Sequence, residues 1–202
     1  MLKESLKKYN LILASKSPRR QFLLKELGVK FEVLTKETDE SFPKKLKGKQ
    51  IALYLCKKKA EAFKNELRKN DLLITADTIV WVNNRVLNKP AHYSEAVKML
   101  KLLSGKMHTV YTGVCIATKS HPERGKQTLR LRTFAVSTKV YFKKLSAKEI
   151  DFYVSNYRPY DKAGAYGAQE WIGYVGVKKI IGSYFNVMGL PMKELYEELM
   201  KL

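Results

Sequence analysis

The stretch Leu11 to Arg20, LILASKSPRR, constrains the fold of this chain more than any other. An apolar strand runs straight into Ser15-Lys16-Ser17-Pro18, and two adjacent arginines follow. Helical periodicity begins at once, with Phe22, Leu23, Leu24 and Leu27 on the apolar side and Gly28 as the stop. Ser17 suits the N-cap of that helix and Pro18 its first position. A helix start offers unpaired backbone N–H groups and a partial positive charge. Arg19 and Arg20 add full positive charges in the first turn, where the dipole disfavours them. An anion seated there removes that cost, so the stretch reads as a phosphate site.

The rest of the chain keeps alternating strand and helix. Strands are expected at 10–14 and 31–35 around a helix at 18–27. A polar loop with Thr38-Asp39-Glu40 leads into a long helix over about 47–69. Strands near 72–76 and 78–82 reach an Asn83-Asn84 turn, and Arg85-Val86-Leu87 returns. A helix from Ser94 to Ser104 ends at Gly105. Two β runs, 107–118 and 128–142, flank a turn-rich hairpin tip, Lys119 to Lys126. Ser146 and Glu149 form a capping box for a helix at 147–156. The glycine-rich stretch 161–189 is expected to hold short strands and loops, and a helix at about 191–201 follows. No repeat or low-complexity linker marks a boundary, so residues 1–202 are expected as a single α/β domain. This order implies a mixed, twisted sheet with flanking helices. The long hairpin is able to form a second lobe, and a cleft between lobes is a natural substrate site.

Composition narrows the function classes. No apolar run approaches the roughly 18 residues that span a membrane, and MLKESLKKYN lacks the apolar region of a secretory signal. The two cysteines, Cys56 and Cys115, form no CxxC pair, and His92, His108 and His121 show no ligand spacing. Zinc and a disulfide framework are therefore disfavoured, and a reduced, cytoplasmic compartment is expected. The net charge of +20 suits nucleic-acid binding. Yet the lysines are spread along the chain, with no helix-turn-helix, zinc-finger or RRM signal. A basic surface also attracts any polyanionic small substrate, which makes nucleic acid the lesser reading.

Several residues break local rules. Asp77 lies within LLITADTIVWV, although aspartate is depleted in strands and a buried carboxylate is costly unless paired. It either bonds backbone at a strand end or bulge, or serves as a general base or metal ligand, with Thr78 beside it. Lys59 ends a run of three lysines but falls on the apolar stripe with Leu55, Cys56, Ala62 and Phe63, while Lys58 leans toward Tyr54 and Glu61. A lysine there snorkels to an edge or meets an anionic partner. Lys89 precedes Pro90 after the hairpin that begins at Asp77, which lets the two share a site. Glu40 is an acidic loop residue, carrying little information alone. The string DKAGAYGAQ allows close backbone approach to a ligand, and Gln169 at its end has a donor and an acceptor suited to a base edge. Neither GxxxxGK[ST] nor GxGxxG occurs, which disfavours P-loop and dinucleotide folds.

Together these strings resemble the Maf family of nucleoside triphosphate pyrophosphatases. LASKSPRR, ADTIV, LNKP, LSGKMHTVYTGV, DKAGAYGAQ and GSYFNVMGLP match the family's segments in order, from Leu11 to Leu199. The resemblance implies a Maf/ITPase-like α/β fold with a cleft, dependence on a divalent cation (Mg²⁺ or Mn²⁺), and a homodimer. It implies Asp77 as catalytic base, and Ser15, Arg19 and Arg20 as phosphate holders. Glu40, Lys59, Lys89 and Gln169 match the other polar groups of the site, with Glu40 and Asp77 as metal ligands. Arg19, Thr78 and Gln169 match positions tied to substrate choice. SPRR, Asp77-Thr78 and DKAGAYGAQ resemble the branch acting on dTTP and UTP rather than the one acting on 7-methyl-GTP. Two positions depart from the pattern: Glu170 stands where glycine is common, and Ala168 replaces a usual isoleucine. The expected reaction is attack of water on the α-phosphorus, giving the monophosphate and pyrophosphate. A nucleic-acid-binding protein, or a regulatory nucleotide-binding module without turnover, is the alternative.

Overall fold

A computed structural model describes residues 2–119 and 128–202 of the chain. Apart from Lys119, the hairpin tip expected at 119–126 lies outside the described residues. Among the described residues seven strands form one mixed sheet: β1 (Asn10–Leu13), β2 (Glu32–Val33), β3 (Asp71–Val82), β4 (Arg85–Leu87), β5 (Met107–Lys119), β6 (Leu129–Phe142) and β7 (Val177–Ile181). Their order is β2-β1-β3-β5-β6-β7, with β4 paired to β3. β1 is parallel to β2 and β3, whereas β3–β4 and β6–β7 are antiparallel. The expected mixed α/β architecture is the one observed. The chain divides into two compact units, Met1–Asp77 with Thr112–Val136 and Gly189–Leu202, and Thr78–Tyr111 with Ser137–Met188.

The first unit contains α1 (Leu2–Ser5), α2 (Pro18–Glu26), α3 (Lys49–Glu61) and, late in the chain, a helix at Met192–Leu199. Its apolar core joins Ile12 and Leu73 of the strands to Cys56, Ala60, Phe63 and Leu67, with Cys115 and Ala117 of β5. α3 lies so close to β5 that a Cβ on Gly113 would fall 2.4 Å from the Ala52 carbonyl oxygen. Three expectations need correction here. α3 ends near residue 61 rather than 69, because the chain tightens into turns such as Phe63 N–H to Ala60 O (3.1 Å) and Glu66 N–H to Phe63 O (2.9 Å). Lys36 Nζ takes up the Ala62 carbonyl at 2.9 Å, which satisfies the exposed helix end. Phe22 is exposed, so α2 buries only Leu23 and Leu24 of the expected apolar side. Ser17 occupies the N-cap without a side-chain cap bond, although Pro18 does begin the helix.

The second unit contains α4 (Tyr93–Leu103), α5 (Ala147–Tyr157), a single 3₁₀ turn (Ala163–Ala165), α6 (Trp171–Gly176) and α7 (Tyr184–Met188). The helix at Met192–Leu199 is thus α8. Val80, Val82, Leu100, Leu103, Val140, Ile150, Tyr153 and Ile172 meet in the core of this unit. Asn83 and Asn84 turn the chain with φ of 48° and 59°, the left-handed pair that a tight hairpin needs. The capping box of α5 forms as expected: Glu149 N–H donates to Ser146 Oγ, and Ser146 N–H to the Glu149 carboxylate. The stretch 161–189 departs from the expected strands and loops by holding two short helices. Asn186 of α7 is buried, and its amide donates to Val110 O at 3.1 Å and Thr138 Oγ1 at 3.0 Å. Those bonds reward a helical turn where glycines alone suggest a loop.

Candidate active site

The start of α2 is organised by its own loop. Ser17 N–H donates to Ser15 Oγ at 3.2 Å, and Gln21 Nε2 donates to the Ser15 carbonyl at 3.1 Å. Ser15 is buried and Arg19 and Arg20 are half-buried. Arg20 Nε donates to Gly189 O at 2.8 Å, which fixes its guanidinium against the GLP string. Burial lowers the pKa of this guanidinium, and the charges of Asp77 and Glu40 oppose that shift.

Asp77 is not at a strand end. β3 runs unbroken from Asp71 to Val82, where two strands, 72–76 and 78–82, were expected. Asp77 is 7% exposed, and its charge is met by Lys59 Nζ at 2.5 Å from Oδ1. Lys59 also donates to Glu40 Oε1 at 3.0 Å. The lysine on the apolar stripe of α3 therefore has anionic partners rather than a snorkelling path. Thr75 Oγ1 donates to Cys56 O at 2.6 Å, which ties β3 to α3 near both members of the ion pair.

Lys58 performs a parallel task for the loop before α3. Its Nζ donates to Asp39 Oδ2 at 2.8 Å and to Ser41 O at 3.1 Å, and Ser41 N–H donates to Asp39 Oδ1 at 2.8 Å. The Lys58 bond, then those of Ser41, hold the Asp39 carboxyl well below the usual range. Adjacent lysines thus grip adjacent acids, Asp39 and Glu40, and fix the loop to the helix. Ser15, Arg20, Glu40, Lys59 and Asp77 are brought together within the first unit.

Arg19 also belongs to the first unit, whereas Thr78, Lys89 and Gln169 lie in the second. Thr78 is half-buried in β3, and Lys89 is exposed after β4. Asn88 O accepts from Gly164 N–H at 3.2 Å, which ties the LNKP string to DKAGAYGAQ. Gln169 is half-buried, and its carbonyl accepts from the Tyr174 hydroxyl at 2.6 Å. Sequence reasoning missed the buried Lys162, whose Nζ lies 2.6 Å from Asp161 Oδ1 and 3.0 Å from Glu170 Oε1. Its signal was present: a lysine inside a run of small residues has nowhere to snorkel. Burial, then the Glu170 bond, pushes the Tyr153 hydroxyl well above its usual range, so it stays a donor.

Hard carboxylate oxygens suit Mg²⁺ or Mn²⁺, and Glu40 and Asp77 already converge on one cation, the Lys59 ammonium. No group of three or more His, Cys, Asp or Glu side chains is placed to hold a metal among the described residues. That donor set fits an ion shared between one or two carboxylates and a substrate's phosphates, rather than one caged by protein alone. Among the described residues no helix is long and apolar enough to cross a membrane.

Comparison with known proteins shows the family of the chain. The family model described as Maf-like protein matches residues 10–202. A dTTP/UTP pyrophosphatase of Phocaeicola vulgatus is 51% identical over 98% of this chain and 99% of its own length. The dTTP/UTP pyrophosphatase of Bacteroides thetaiotaomicron is 50% identical over 98% of each chain. That of Flavobacterium johnsoniae is 47% identical over the whole of both. Among solved structures, the Ham1 protein of Staphylococcus aureus aligns with a TM-score of 0.48 and 15% identity, over 95% of this chain and 98% of that one.

Proposed function

The chain belongs to the Maf-like protein family, and from that premise we propose that it hydrolyses dTTP and UTP to the monophosphate and pyrophosphate. The observation that carries the reading is the Asp77–Lys59–Glu40 group, with Asp77 buried, beside Arg20. A structural carboxylate in a strand needs one partner, whereas this one shares its lysine with a half-exposed acid, Glu40. The family match runs through both units, which supports reading residues 1–202 as a single Maf-like α/β domain.

In this reading Ser15, Arg19, Arg20 and Lys59 hold the triphosphate, whose roughly four negative charges call for several cations. Lys89 is assigned to phosphate, and Thr78 and Gln169 to the base. Asp77 takes the proton of the attacking water at its carboxylate, while Lys59 orients it. Glu40 and Asp77 would hold the divalent cation, which supplies neutralisation of phosphate charge and polarises water. Departure of pyrophosphate then follows in-line displacement at the α-phosphorus. A homodimer and a cytoplasmic setting complete the proposal, the latter in keeping with two free, buried cysteines.

The test is a panel of nucleoside triphosphates with Mg²⁺ or Mn²⁺, measuring pyrophosphate. Release of pyrophosphate with monophosphate, greatest for dTTP and UTP, is expected. Inorganic phosphate with diphosphate, or salt-sensitive DNA binding without turnover, contradicts the reading. Light scattering on the same sample reads the dimer.

A further inference from the structure

The loop that carries Gln169 is held by a polar network. Gly167 N–H donates to the Tyr153 hydroxyl at 3.1 Å, and that hydroxyl donates its own hydrogen to Glu170 Oε2. Glu170 Oε1 receives Lys162 Nζ at 3.0 Å. One hydroxyl therefore grips the first and last residues of the Gly167–Glu170 turn. Glu170 N–H closes that turn on Gly167 O at 3.1 Å, and the Gln169 carbonyl takes the Tyr174 hydroxyl at 2.6 Å. α6 presses on the same backbone, because a Cβ on Gly173 would fall 2.0 Å from Ala168 O. The backbone of the loop is committed at these points, while the Gln169 side-chain amide takes part in none of these bonds.

Charge gives the network its rigidity. Lys162 is 8% exposed, and of its two acids Asp161 faces solvent (58%) while Glu170 is the inner one (19%). A buried ammonium holds its partner closely, since losing it strands a desolvated charge. Glu170 is thus fixed from two directions, and Gln169 is its neighbour in the chain. Displacing a substrate-positioning group by about 1 Å is enough to cost a large share of its effect.

We propose that Glu170, clamped by Lys162 and Tyr153, is a positioning residue that holds Gln169 in register for the nucleobase and so sets substrate choice without touching substrate. The inference rests on the reading that Gln169 meets the base.

The experiment is steady-state hydrolysis of dTTP and dCTP by Gln169→Ala, Glu170→Ala, Glu170→Gln, Tyr153→Phe and the Gln169→Ala/Glu170→Ala double variant. Gln169→Ala is expected to reduce the dTTP preference in kcat/KM by about tenfold or more, as loss of a base-reading hydrogen bond should. Glu170→Ala and Tyr153→Phe should reproduce most of that loss through KM, with kcat for dTTP within about twofold of the parent. Glu170→Gln, which keeps the length and an acceptor, should retain part of the preference. The double variant should be no less selective than Gln169→Ala alone, because the two act through one contact. An unchanged preference in both Glu170→Ala and Tyr153→Phe beside a loss in Gln169→Ala overturns the positioning role and leaves the base reading standing. Losses that multiply in the double variant overturn it as well. No loss in Gln169→Ala overturns the base reading itself. Tyr153→Phe removes a single oxygen, so it decides the matter should Glu170→Ala fail to fold.

Discussion

Lys59 and Lys162 make an instructive pair, one in each unit of the molecule. Each ammonium sits between two carboxylates, one inner and one facing solvent: Asp77 and Glu40 for Lys59, Glu170 and Asp161 for Lys162. The surroundings separate their roles. Around Lys59 stands Arg20, itself in the field of Arg19, so that cations outnumber acids. An excess of positive charge among these named groups favours an anion. Around Lys162 stand a tyrosine hydroxyl and, through it, a backbone N–H, and the acids outnumber the cation. That group is complete by itself and offers nothing to a phosphate. A lysine shared by two acids is therefore neither catalytic nor structural by its pairing alone, and the sign of the charge left over decides.

Mutating the two inner acids should break the comparison most visibly. Asp77→Asn is expected to lower kcat for pyrophosphate release by about 100-fold to 10,000-fold, the range for loss of a general base, with the melting temperature little changed. If Asp77 is a ligand only, the half-activating metal concentration rises instead while the saturated rate survives. Lys162→Met should do the reverse, costing about 3–5 kcal/mol in denaturant unfolding by stranding the inner acid. Lys59→Met, by contrast, should cost activity well before stability. Arg19→Ala sharpens the picture on the phosphate side. Its KM should rise by about tenfold, as loss of one charge-assisted bond predicts, and an unchanged KM argues against the phosphate site. Ser146→Ala in the capping box is the control, expected to cost about 1 kcal/mol of stability and no activity.

The smallest effect is a pH dependence. His108 is buried, and burial pushes its imidazole down to about 4 from 6.5. The unfolded chain therefore takes up a proton that the folded chain refuses. Its contribution to stability is full above 6.5 and is lost as the pH falls from there toward about 4. Replacing His108 by Gln should flatten that part of the melting-temperature profile.

The parts of the fold visible in the sequence were those set by neighbours in the chain. The step from β1 into α2, the Asn83-Asn84 turn and the α5 capping box each depend on a handful of adjacent residues. What stayed hidden was settled across the sequence. The continuity of β3 through Asp77 depends on a lysine 18 residues upstream, so an aspartate that reads locally as a break is accommodated without one. The early end of α3 is satisfied by Lys36, which reaches the Ala62 carbonyl from 26 residues away. The candidate site followed the same division. Spacing marked Lys59 and Asp77 as out of place, but only the fold makes each the answer to the other. Lys162 left a trace in its run of small residues, but Tyr153 left none, because a buried tyrosine on an apolar helix face has an ordinary explanation until Glu170 joins it.

The most direct test of the chemistry assigned to the Lys59 group is hydrolysis of dTTP in heavy-oxygen water, with mass spectrometry of both products. Attack at the α-phosphorus places the heavy oxygen in the monophosphate and leaves the pyrophosphate unlabelled. Label in the pyrophosphate, or release of inorganic phosphate with a diphosphate, would contradict the account.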